Sequence, residues 1–307
     1  MLDNIGIGES DVDIYLQVDH LPSRGEKVRA LEIGKLPGGM IGNFCSAAAK
    51  QGASCGIVSM LGDDANGKIA LADYQCRGID TNGLVVMPGG QTFYCVVYLD
   101  GSGEKYLTAV VTDLISPRLE DISADYIRSA RYVHMNSMDY ALACFVAEKL
   151  EGSDTRISLD YEAHAENPGF EDWKPVLKKV SVLFVNEDGI QSLFPKKDMD
   201  AAAWSVLGLG AEYVVVTCAE KGGLVYTKDK CYRYKAFAAD NIKDTTGAGD
   251  CFNATFLSAI IKGMPVEDAM NTAAAAATLS IQAVGARTGQ PTGAEVAAFL
   301  ATHPKTL

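Results

Sequence analysis

Residues 244–256 read DTTGAGDCFNATF, with two carboxylates, Asp244 and Asp250, flanking Thr245, Thr246, Gly247, Ala248 and Gly249. Phe252, Phe256, Leu257, Ile260 and Ile261 then recur at helical spacing, which predicts a helix that begins close to Asp250 and buries that stripe. Small residues at a helix start leave backbone N–H groups unobstructed. Those unpaired donors, with the helix dipole, attract anionic oxygens. A carboxylate beside such a nest disfavours simple anion storage. It suits a group that takes a proton from an attacking hydroxyl while the amides of Gly247, Ala248, Gly249 and Asp250 stabilise charge on a phosphoryl group. The plain alternative is that Asp250 only caps the helix.

The elements that must position this group are legible in the alternation of apolar runs and turn residues. Asn4 to Gly8 is a short strand ending in glycines, and Asp11 to Leu16 alternates as a second strand. Glu26 to Leu36 alternates again after a turn at Pro22–Gly25, so the stretch near 11–37 reads as a hairpin. Thr92 to Leu99 and Lys105 to Val110, joined by Asp100-Gly101-Ser102-Gly103, read as another near 91–111. Helices are expected at Asn43–Gln51, stopped by Gly52, and at Lys68–Arg77, after a turn cluster at 62–67. From about residue 130, strands at 132–135, 156–159, 182–185 and 213–217 alternate with helices at 140–150 and 199–209. That rhythm predicts one α/β domain over 1–307, a mainly parallel sheet with helices on both faces and a small sheet from the hairpins.

Composition narrows the partners. The 307 residues are 48% apolar and 21% charged, and 39 acidic against 27 basic residues give a net charge of −12. Without a basic tract, long-range attraction to nucleic acid or anionic lipid is not expected. Eight cysteines lie singly among apolar neighbours with no CxxC pair, so buried reduced thiols and a cytoplasmic location are the expectation.

With no GxxxxGK[ST] segment to hold a nucleotide, the DTTGAGDCF stretch instead resembles the C-terminal signature of the PfkB/ribokinase family of carbohydrate kinases. Gly38-Gly39-Met40-Ile41-Gly42-Asn43 and Leu61 to Gly67 resemble that family's first signature, Gly8 with Asp13 its opening sugar-binding strand, and Gly285-Ala286-Arg287 a late segment. The resemblance implies a ribokinase-like three-layer fold with a β-sheet lid. It implies Asp250 as general base, with Asp13, Gly39 and Asn43 on the sugar hydroxyls and Asp11 and Asn136 as weaker candidates. ATP would lie on Asn186, Thr217 and Gly222, with Ala274 and Ala277 flanking the adenine. Asp244, Thr246 and Gly285 resemble the site where some members bind K⁺. A homodimer through the lid is the expected assembly.

Three departures stand out. The family's Asn-x-x-Glu, which positions Mg²⁺-bound water, is here Asn186-Glu187-Asp188-Gly189, so Glu187 or Asp188 is expected to substitute for the missing glutamate. Ala219 replaces a glycine of the nucleotide loop, and Met40 stands where ribokinases carry lysine. The expected activity is ATP-dependent phosphorylation of a sugar hydroxyl. A nucleoside or sugar-phosphate kinase, or a non-catalytic sugar or nucleotide sensor, are the alternatives.

Overall fold

The computed structural model describes residues 1–100, 105–164 and 167–303. Its strands are β1 (Leu2–Ile7), β2 (Asp11–Val18), β3 (Ala30–Gly38), β4 (Cys55–Gly62), β5 (Asp80–Met87), β6 (Tyr94–Leu99), β7 (Lys105–Val110), β8 (Ala130–Asn136), β9 (Arg156–Tyr161), β10 (Val180–Asn186), β11 (Tyr213–Thr217), β12 (Gly223–Tyr226) and β13 (Cys231–Tyr234). The helices are α1 (Met40–Lys50), α2 (Ala65–Cys76), α3 (Ala124–Ile127), α4 (Tyr140–Lys149), α5 (Phe170–Leu177), α6 (Glu187–Leu193), α7 (Met199–Leu207), α8 (Ala248–Ile261), α9 (Val266–Ser280) and α10 (Gly293–Thr302).

Nine strands form one sheet in the order β13-β12-β11-β10-β9-β8-β1-β4-β5, parallel from β5 to β11 and antiparallel at the β12–β13 edge. The central strands are continuous apolar runs, as a sheet covered on both faces requires. Val182, Leu183 and Phe184, for example, are all fully buried. One face is covered by α1, α8 and α9, whose side chains share a core with Phe184 and Val215. On the other face Leu183, Val133 and Leu159 share a core with Val146 of α4, Trp173 of α5 and Val206 of α7.

The two expected hairpins are present, and they join through parallel pairing of β2 with β6 into a second sheet, β3-β2-β6-β7. The turn expected at Asp100–Gly103 falls largely on residues 101–104, outside the described residues. Several boundaries differ from the sequence reading, β3 for example starting at Ala30 rather than Glu26. Helix α1 starts at Met40 rather than Asn43, because Gly39 at φ +83 turns the chain just before it. The cluster at 62–67 is the end of β4 and the start of α2. Asp64 caps that helix by accepting from Gly67 N at 2.7 Å and from the Thr92 hydroxyl at 2.6 Å. Asp63 accepts from Gly89 N, so both aspartates hold turns together.

Candidate active site

The parallel strands deliver their carboxyl ends to one edge of the sheet, where an open α/β fold presents its ligand crevice. Glu9 follows β1, Asn136 ends β8, Asp160 lies at the end of β9, Asn186 ends β10 and Thr217 ends β11. Because β1, β8, β9, β10 and β11 are successive neighbours, these residues form a line across the molecule. Helix α8 meets that line through Asn253, whose Nδ2 donates to Asp160 Oδ2 at 2.8 Å.

Gly247 caps α8 at φ +74, a left-handed conformation that glycine adopts without strain. A Cβ there would also meet the Ala286 Cβ and carbonyl oxygen at 2.9 Å. Gly249 has open space where a side chain would stand. The Ala248 amide reaches the Thr245 carbonyl at 3.3 Å, whereas the Gly249 and Asp250 amides have no acceptor among the described residues. Two free donors thus sit at the start of a fourteen-residue helix beside the Asp250 carboxylate.

Asp250 is buried, and its Oδ2 accepts from Asn43 Nδ2 at 2.9 Å. Burial pushes its pKa up to about 8, partly countered by the Asn43 hydrogen bond, while Glu162 and Glu9 add to the rise and Arg287 opposes it. Asn43 is oriented in turn by Arg287, whose Nε donates to Asn43 Oδ1 at 3.0 Å. Arg287 is buried and spreads its guanidinium over Asp73 Oδ2 at 2.8 Å, the Tyr74 hydroxyl at 3.2 Å and the Gly38 carbonyl.

Asp11 and Asp13 lie on β2 with their carboxylates against Gly38, at the closed end of the small sheet. Burial raises both pKa values, that of Asp13 to about 6, and the neighbouring Asp13 raises Asp11 further. Cys95 Sγ lies 3.5 Å from Asp11 Oδ2, and Asp11 Oδ1 is buried without a donor. Gly39 contributes backbone: a Cβ would sit 2.9 Å from the Glu9 carbonyl oxygen and Ser10 Cα. Asn136 is occupied by protein, its Nδ2 donating to Glu9 Oε2 at 2.7 Å and its Oδ1 accepting from Met138 N at 3.2 Å. It therefore orients Glu9.

On the β10–β11 side, Asn186 Oδ1 caps α6 by accepting from Gly189 N at 2.6 Å. At the departed position of Asn-x-x-Glu the chain runs close to its neighbours: a Cβ at Gly189 would lie 2.7 Å from the Tyr161 carbonyl oxygen and 2.8 Å from Val185 Cγ2. Glu187 is exposed and paired with Lys221 at 3.5 Å, and Asp188 is exposed one residue later. Thr217 and Gly222 bracket a tight loop in which Gly222 takes φ +92. Ala219 takes φ +47 there, the single non-glycine residue at positive φ among the described residues. An alanine in that region costs on the order of 1–2 kcal/mol. Ala274 is buried in α9 and Ala277 is partly open.

Asp244, Thr246 and Gly285 also come together. Asp244 Oδ1 accepts from Thr246 N at 2.9 Å and Thr246 Oγ1 at 2.6 Å, and Oδ2 accepts from Gly285 N at 2.9 Å and the Tyr15 hydroxyl at 2.8 Å. Burial pushes this carboxyl up, but those hydrogen bonds outweigh it and hold the pKa below the usual value.

A family model described as pfkB family carbohydrate kinase matches residues 1–293. The chain belongs to the pfkB family of carbohydrate kinases. Its relatives include an ATP-dependent ribose-1-phosphate kinase of Halopiger xanaduensis, 28% identical over 298 residues covering 96% of this chain and 97% of that protein. A ribokinase of Arabidopsis thaliana is 28% identical over 300 residues, covering 93% of this chain and 77% of that protein. The solved structure of Arabidopsis ribokinase complexed with ribose and ATP superposes with a TM-score of 0.82 at 24% identity, covering 97% of this chain and 98% of that one. The fold of this pfkB member is thus ribokinase-like.

Sequence reasoning on this kinase-family chain missed Glu9, Tyr15, Lys105 and the partners of Arg287. Glu9 had a readable signal, since it directly follows Gly8, the glycine after β1. Arg287 had only its adjacency to Gly285-Ala286.

Proposed function

We propose that this chain transfers the γ-phosphoryl group of ATP to a hydroxyl of a sugar or sugar-like molecule, with Asp250 as the base. The observation that carries the reading is one buried carboxylate next to the free amides of Gly249 and Asp250, close to Asp160 at the carboxyl end of β9. Asp250 takes the proton from the acceptor hydroxyl, and the free amides of Gly249 and Asp250 face the charge on the migrating group. Asp13, Asp11 and the Gly39 backbone hold the acceptor's remaining hydroxyls, and Asn43 aims the base. The small sheet closes as a lid that keeps water from competing as acceptor.

ATP lies along the β10–β11 side, on Asn186, Thr217 and Gly222, with Ala277 and the edge of Ala274 beside the base. Mg²⁺ neutralises the nucleotide phosphates when bound. Its donor set fits Asp160 and Glu162 better than Glu187 or Asp188. Asp160 lies at the carboxyl end of β9 and Glu162 directly after it, Asp160 is buried beside Asn253 at 2.8 Å, and Asn253 Oδ1 lacks a donor.

The acceptor is uncharged. Glu9, Asp11 and Asp13 surround its place, and the two cations acting on Asp13 are already paired, Arg287 with Asp73 and Lys105 with Asp244. ADP formation over D-ribose, D-fructose, cytidine and ribose 1-phosphate, with Mg²⁺ present, tests both points. Turnover is expected with a neutral member, and preference for ribose 1-phosphate would remove the charge argument. The exposed side of Asn186 and the lost glutamate favour one second reading, a sensor that binds without transfer. It wins if ligands raise the melting temperature while no ADP forms.

Leu31 and Ile33 on β3 and Tyr106 and Leu107 on β7 are exposed, with Val111 beyond. Apolar side chains along both edges of the lid fit burial against a second copy. A dimer is expected by sedimentation at micromolar protein, and Leu31→Glu should convert it to monomer; a monomeric parent would exclude this assembly.

A further inference from the structure

The loop that leads into the anion site is held in an unusual way. A carboxylate offers about four lone-pair directions, and all four of Asp244 face protein donors: Thr246 N, Thr246 Oγ1, Gly285 N and the Tyr15 hydroxyl, at 2.6–2.9 Å. Lys105 Nζ lies 3.8 Å from Asp244 Oδ1 and hydrogen-bonds the Thr246 hydroxyl. The charge of this buried carboxylate is therefore matched by an ammonium, and its coordination is filled by N–H and O–H groups. A cation needs oxygen lone pairs, so K⁺ at this carboxylate would have to displace one of these donors and sit beside an ammonium. The residues present do not fit the monovalent cation that the family resemblance implies.

Both of the outlying donors come from the small sheet. Tyr15 on β2 is in register with Val97 of β6, and Lys105 on β7 with Leu99. Val97 and Leu99 are two apart on one strand, so Tyr15 and Lys105 project from the same face and converge on one carboxylate. Tyr15 is fully buried and the Lys105 side chain is 30% exposed, which leaves the ammonium able to leave when the sheet lifts. Thr246, which Lys105 grips, is bonded directly to Gly247, the residue whose left-handed turn opens α8.

We propose that the lid's Tyr15 hydroxyl and Lys105 ammonium stand in for a bound monovalent cation, so that lid closure itself orders the Asp244–Gly247 loop and activity is independent of K⁺. Lys105 and Tyr15 are positioning residues: they act on the anion site through Asp244 and Thr246. The consequence for turnover rests on the kinase reading, whereas the consequence for cation binding does not.

The test therefore has two arms, each run with KCl against tetramethylammonium chloride at equal ionic strength. In thermal melting, the parent should give the same transition in both salts. Lys105→Met, which vacates the ammonium's place, should melt higher in KCl, because a ligand bound only by the folded state stabilises it. In turnover, with ADP read by chromatography, parent rates should agree within about twofold, and Lys105→Met should fall about tenfold or more with part of the loss restored by KCl. Tyr15→Phe removes one hydroxyl at nearly constant volume but leaves the ammonium in place, so it should melt at the same temperature in both salts. A parent stabilised or activated severalfold by K⁺ overturns the proposal, as does a Lys105→Met enzyme that matches the parent in both arms. Absence of turnover with every acceptor would sink the kinase reading alone, and the melting arm would still decide whether the ammonium excludes K⁺.

Discussion

Replacing Asp250 by asparagine should lower kcat by about 10²–10⁴-fold while nucleotide affinity stays largely unchanged. Asparagine keeps the shape and still accepts from Asn43, so α8 and its free amides remain in place. Only proton removal is lost. The parent's pH profile should carry the signature of the same group. Burial places the Asp250 pKa at about 8 in the free protein, so the charged, proton-accepting form is the minor one at neutrality and grows as pH rises. Between pH 7 and pH 9, kcat/KM should climb by roughly tenfold, the ratio of ionised fractions for such a group. The Asp250→Asn enzyme should lack that limb. A parent whose kcat/KM falls over this range, or an asparagine variant with near-parental kcat, would remove Asp250 from the role of base.

Arg287→Met should have the largest effect on stability. It removes the guanidinium 2.8 Å from Asp73 Oδ2 and deprives the Gly38 carbonyl and Asn43 Oδ1 of buried donors. Breaking one side of a buried ion pair costs about 3–5 kcal/mol, and a melting temperature lower by roughly 10 °C is expected for such a loss. A bland structural role would end there. Because Arg287 also favours the charged form of Asp250, the kcat/KM limb should shift to higher pH in the variant. Arg287→Lys should restore part of the limb through its charge, but less stability, since an ammonium cannot span Asn43, Asp73 and Gly38 together. Asp73→Asn combined with Arg287→Met should recover stability without recovering the limb. A limb at the parental pH in all three would confine Arg287 to packing.

The parts of this site that were legible in the sequence are local ones. Gly-Ala-Gly followed by an apolar stripe specifies a helix start with accessible amides, whatever else the chain does, and α8 begins two residues before Asp250 as a result. The hairpins announced themselves through alternation, and β2–β3 and β6–β7 follow it. Elements whose stability comes from neighbours were opaque. The four-residue strands β12 and β13 lack length for a period, and β5 carries Asn82 and Gly83 in its middle. Contacts between distant segments were equally hidden. Asn43 meets Asp250 across 207 positions and Tyr15 meets Asp244 across 229, and nothing in either segment specifies the other. For Asn136 the residue type was compatible with sugar binding, yet its amide is turned to Glu9, a choice made by the adjacent ends of β1 and β8. At Gly189 the sequence displayed the absence of a glutamate but not the close approach of the Tyr161 carbonyl from the neighbouring strand.

The most direct measurement is a crystal structure with Mg²⁺, ADP, aluminium fluoride and whichever acceptor of the panel turns over best. The account predicts the fluoride group within hydrogen-bond distance of the Gly249 and Asp250 amides, with the acceptor hydroxyl between it and the Asp250 carboxylate, roughly in line with the ADP β-phosphate. A fluoride group bound away from the start of α8, or an acceptor hydroxyl that meets a side chain other than Asp250, would contradict it.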